Sequence, residues 1–77
     1  MATIDDLAAK LAIDTLKVMD ASGDDRFYVE VGSLLAASSQ SLEEAFLTEI
    51  RVRLAERGAR EFISQRVKEL KASGKIG

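Results

Sequence analysis

Apolar residues recur at helical spacing along almost the whole chain, and the places where that spacing shifts or stops define three elements. Ile4, Leu7, Ala8, Leu11, Thr15, Val18 and Met19 fall on one face at i, i+3, i+4 intervals. Thr3 stands before them as a cap, Asp5 and Asp6 occupy the first turn, and Ser22-Gly23 supplies a stop. A first helix over residues 4–22 follows. Ile13 points away from its stripe and Leu16 sits at the edge.

Residues 26–37 are ambiguous. Phe27-Tyr28-Val29-Glu30-Val31 has the composition of a strand, yet Phe27, Val31, Leu34 and Leu35 also fit one helical face. No other segment offers a strand to pair with, and a lone strand leaves its backbone groups unbonded. A second helix over residues 25–37 is therefore predicted, with Asp24 and Asp25 as its cap and first turn and Gly32 either tolerated or a point of close packing. A calcium loop does not fit here: counting from Asp20, positions six and twelve hold Asp25 and Val31 in place of glycine and glutamate.

The third element dominates the chain. Ser41-Leu42-Glu43-Glu44 reads as a capping box, and residues 42–72 after it contain no proline and one internal glycine, Gly58. At 100° per residue, Leu42, Phe46, Leu47, Ile50 and Leu54 share one face. Near Gly58 the apolar residues change sides: Ala59, Phe62, Ile63, Val67 and Leu70 form a stripe that Ala45, Val52 and Ala55 extend backward. Arg53, Arg57, Arg60, Lys68 and Lys71 take over the side that was apolar before. A break at Gly58, with the second half folding back as a fourth helix, would produce this switch. So would one long helix that docks only its first half. A lone glycine costs a helix interior only ~1 kcal/mol, so a continuous or mildly kinked helix is expected.

The expected fold is thus all-α, a three-helix arrangement with two short helices packed on the first half of a long C-terminal helix. Residues 1–77 make one small domain whose ends, 1–3 and 73–77, are expected to fray. The predicted core is Leu7, Leu11, Val18, Phe27, Val31, Leu34, Leu35, Leu42, Phe46, Ile50 and Leu54. So short a chain buries only ~60% of its unfolded surface, which leaves a thin margin unless a partner contributes.

Composition narrows the chemistry. Cysteine and histidine are both absent, which removes disulfides, ordinary zinc sites and His-dependent triads. No Gly-rich phosphate loop is present, and neighbouring acids such as Asp24/Asp25 or Glu43/Glu44 point about 100° apart on a helix. No catalytic, cofactor or metal site is expected. The longest apolar run, Leu34-Leu35-Ala36-Ala37, falls far short of a membrane span, and the acidic N-terminus does not read as a targeting peptide. The expectation is a soluble, cytoplasmic protein.

Charge changes the picture again. Residues 1–49 hold ten acids against Lys10, Lys17 and Arg26, a net of −7, whereas residues 50–77 hold eight bases against Glu56, Glu61 and Glu69, a net of +5. One end of the molecule is acidic and the other basic, which suits head-to-tail association or an acidic partner.

The run Val31 to Phe46 resembles a helix-turn-helix: an apolar helix, a small-residue turn, then Leu42 and Phe46 facing inward. That resemblance implies a recognition helix presenting Ser39, Gln40, Ser41, Glu43, Glu44 and Thr48 to a DNA groove. Two glutamates at the helix start oppose phosphate. The leading expectation is a non-catalytic interaction module that self-associates, or binds a partner helix, through Ala55, Ala59, Phe62, Ile63, Val67 and Leu70. The alternative is a nucleic-acid-binding regulator using Arg53, Arg57, Arg60, Lys68 and Lys71.

Overall fold

The computed structural model describes residues 1–77 as three helices and no strand: α1 (Ile4–Ser22), α2 (Phe27–Ser38) and α3 (Gln40–Ala72). Ile4 and Asp5 lie beside Ser41 to Glu49, and Leu16 and Lys17 lie beside Arg53 to Arg57, so α1 runs parallel to the first half of α3. Helix α2, joined to α3 through the single extended residue Ser39, runs back against both.

Local chemistry accounts for the ends. The Thr3 hydroxyl accepts from the Asp6 amide while the Asp6 carboxylate accepts from the Thr3 amide, so two otherwise unbonded donors at the start of α1 are satisfied reciprocally. That exchange holds the Asp6 carboxyl below its ordinary pKa, chiefly through the Thr3 amide. Gly23 closes α1 in the left-handed region at φ 75°, donating to Met19 O at 2.8 Å. At the far end of α3 Gly74 also takes φ 75°; Lys75 donates to Leu70 O and Gly74 to Lys71 O, the paired bonds of a Schellman turn.

Two expected caps are replaced. Helix α3 begins two residues earlier than the Ser41 box implies, because Ser39 is extended and its own hydroxyl accepts from the Leu42 amide at 3.2 Å. Ser41 lies inside the helix. Helix α2 begins at Phe27 with no side-chain cap, since the Asp24 carboxylate is used earlier, accepting from the Arg26 amide in a local turn.

Helix α3 passes through Gly58 without interruption. A fourth helix folded back at that point is excluded.

The core is smaller and differently faced than expected. Phe46 and Ile50 of α3 are fully buried against Ala8, Ala12, Leu16 and Met19 of α1. Leu11, Phe27, Val31, Leu35 and Leu42 pack around them half-buried. Leu7, Val18, Leu34 and Leu54, all expected inside, are exposed, Leu34 at 71%. The reason is steric. The apolar arc of α1 spans half its circumference, and the alanines on one side of it let the backbone approach the large residues of α3, rotating Leu7 and Val18 to the rim. Gly32 does the same for α2: a Cβ built there would lie 3.3 Å from Leu47 Cδ2.

Candidate docking surface

The hairpin of α1 and α2 stops short of the end of α3. The one hydrogen-bonded link between α1 and α3 is a bidentate pair in which Arg57 donates to both oxygens of Asp20, at 2.9 and 3.0 Å. These bonds hold the Asp20 carboxyl below its ordinary value and raise that of the Arg57 guanidinium. Past Arg57, no hydrogen bond or ion pair joins α3 to either short helix. The fifteen-odd residues that follow project by ~22 Å at 1.5 Å per residue, giving a molecule 54 Å long and 16 Å thick.

On this projection Phe62 and Ile63 are 66% and 59% exposed, and Val52 continues their face toward the body. Ala55 and Ala59 lie open between them, whereas Val67 and Leu70 are half-buried where the chain turns at Gly74. Arg66 sits on the same face with its guanidinium 5.8 Å from the Phe62 ring centre and 3.7 Å from Glu69. All six expected docking residues therefore share one side of one continuous helix.

The expected anion-binding residues are largely spoken for. Arg53 pairs with Glu49, Arg60 with Glu56, and Arg57 with Asp20. Lys68 and Lys71 form no ion pair. The turn between α2 and α3 is one residue, shorter than the three or four of a helix-turn-helix.

Sequence reasoning missed a groove of about 490 Å³ between the starts of α1 and α3, lined by Ile4, Asp5, Ser41, Glu44, Ala45, Thr48 and Glu49. It lies on the same side of α3 as the stripe and is acidic. The signal was available in Ala45, which continues the stripe backward, and in the excess of acid before residue 50. No three acidic side chains anywhere converge as a metal cluster would require, and no helix is long and apolar enough to cross a membrane.

No family model matches this chain, and comparison with curated proteins and with solved structures finds no match.

Proposed function

We propose that the protein is a small non-catalytic interaction module that docks a helix along the far side of α3. The observation carrying this reading is that Phe62 and Ile63, on a fully formed helix, stand 66% and 59% exposed, with only the Arg66 guanidinium over the Phe62 ring. Two global quantities support it. The radius of gyration is 16.6 Å, against about 11.5 Å for a compact chain of this length. The accessible surface is 5742 Å², against roughly 4,600 Å² for a monomer of this mass. The excess, about 1,100 Å², is the order of one partner's share of a standard interface, ~800 Å². A helix surface whose apolar residues stay wet gains little from its own fold, while a covering helix would bury them at ~25 cal/mol per Å².

Paired arginines and an acidic groove favour protein over nucleic acid as the partner. The test compares wild type with Ile63→Asp as baits in extracts of the source cells, alongside light scattering of each. A second copy or another protein held by wild type and released by Ile63→Asp is expected. Identical binding profiles and masses for the two would overturn the reading, as would salt-sensitive oligonucleotide binding that Ile63→Asp leaves intact.

A further inference from the structure

We infer that the occupant of the α3 stripe is a second copy of this chain, packed antiparallel, with the basic end of each α3 lying on the acidic groove of the other. This rests on the docking role proposed for the stripe and adds the partner and its direction.

Side-chain size along the stripe carries the first step. Toward the body the face holds Val52, Ala55 and Ala59; toward the tip it holds the larger Phe62, Ile63, Val67 and Leu70. A parallel copy would set large on large at the tip and alanine on alanine near the body, leaving gaps at one end and crowding at the other. An antiparallel copy that sets Leu70 opposite Val52 also sets Val67 opposite Ala55 and Ile63 opposite Ala59. Val67 and Ile63 then each meet an alanine, and Leu70 meets the shorter Val52. The chain already packs large residues on small ones internally, where Phe46 and Ile50 of α3 bury themselves against Ala8 and Ala12 of the parallel α1.

Charge carries the second step and is independent of the first. The groove at the starts of α1 and α3 presents Asp5, Glu44 and Glu49, and the tip presents Lys71 and Lys75. In the antiparallel register the tip of one chain lies along this groove of the other, and Arg66, paired with Glu69 in its own chain, comes opposite Glu56, paired with Arg60. A parallel register stacks the basic tips on each other and the acidic grooves on each other, so electrostatics selects the same direction that size selects. The symmetry is two-fold, so each contact occurs twice and the assembly closes as a dimer.

Absence of native cysteine makes the direction measurable. Val52→Cys and Leu70→Cys chains are prepared separately and mixed under mild oxidant. The expected result is a disulfide between the two variants in the mixture and little cross-linking of either alone. A Val52→Cys chain that links to itself would show a parallel pair and overturn this inference while leaving the stripe as the docking surface. Monomer mass for wild type at about 100 µM by light scattering, the concentration scale of a weak specific dimer, would overturn it too, with the stripe left to a different helix. Lys71→Glu should raise the dimer dissociation constant about tenfold, and Glu49→Lys combined with it should restore most of that loss. A Lys71→Glu chain that dimerises like wild type would remove the tip from the groove.

Discussion

The two halves of α3 share one helical backbone and differ in what covers them. Before Gly58 the apolar face, Phe46 and Ile50 above all, is sealed by α1 and α2; after it, Phe62 and Ile63 face outward. The same kind of side chain therefore serves stability in one half and, in the reading proposed here, recognition in the other. What separates them is the reach of the hairpin, which ends at the Asp20–Arg57 pair.

Truncating a phenylalanine in each half should break the comparison open most visibly. Phe46→Ala removes a fully buried ring from a core of six apolar residues, and is expected to cost about 3–5 kcal/mol, enough to unfold so small a domain. Phe62→Ala, measured at concentrations too low for association, should change unfolding free energy by no more than ~0.5 kcal/mol. Urea titrations followed by circular dichroism decide this. A Phe62→Ala chain as destabilised as Phe46→Ala would show that the far face stabilises the monomer after all.

Glycines sharpen the same contrast at about a third of that size. Gly58 is helical with open space where a Cβ would stand, so Gly58→Ala should stiffen the junction between the halves and gain up to ~1 kcal/mol of helix stability. Gly23 holds φ 75° at the turn that brings the hairpin round, and Gly23→Ala should lose about 1 kcal/mol. Thermal unfolding of both variants, together with amide exchange across residues 55–62, measures them. Opposite signs are expected. A destabilising Gly58→Ala would mean that the junction needs to bend.

These particulars also show what was legible in the chain. Three helices, the stop at Gly23, the docking of only the first half of α3 and the exposed stripe all follow from residue spacing, because a 3.6-residue period fixes which side chains share a face. The faces actually buried on α1 do not follow. Its apolar arc is broad enough to be turned either way, and the choice of Ala8 and Ala12 over Leu7 and Val18 belongs to the fit against Phe46 and Ile50, a property of two helices together. Cap choice at Ser39 over Ser41 was likewise open, since both residues are serines two positions apart, and only the extended backbone of Ser39 separates them. The Asp20–Arg57 pair joins residues 37 apart, beyond any local rule. The acidic groove needed α1 and α3 to be set parallel before Asp5 could join Glu44 and Glu49.

The smallest effect concerns the boundary between the halves, and its dependence on pH has a defined direction. Asp20 titrates near 3.8 without a partner, and the two Arg57 bonds lower that value in the folded protein. The folded state thus favours the ionised form, so the pair stabilises above the unfolded value and its contribution disappears as pH falls through the folded one. Raising of the Arg57 value acts at the opposite extreme, its contribution being present at all pH below the ordinary arginine range. Asp20→Asn should therefore unfold at a slightly lower temperature than wild type at pH 7, with the gap closing below about pH 3.8 as the wild-type carboxyl protonates. Both side chains are well exposed, 45% for Arg57 and 58% for Asp20, so the gap should be small and should narrow further in 1 M salt. Melting curves from pH 2 to 7 at two ionic strengths test it. A gap that persists unchanged at pH 2 would show that Asp20 acts through packing at the end of α1, and the boundary between the covered and uncovered halves of α3 would then be steric in origin.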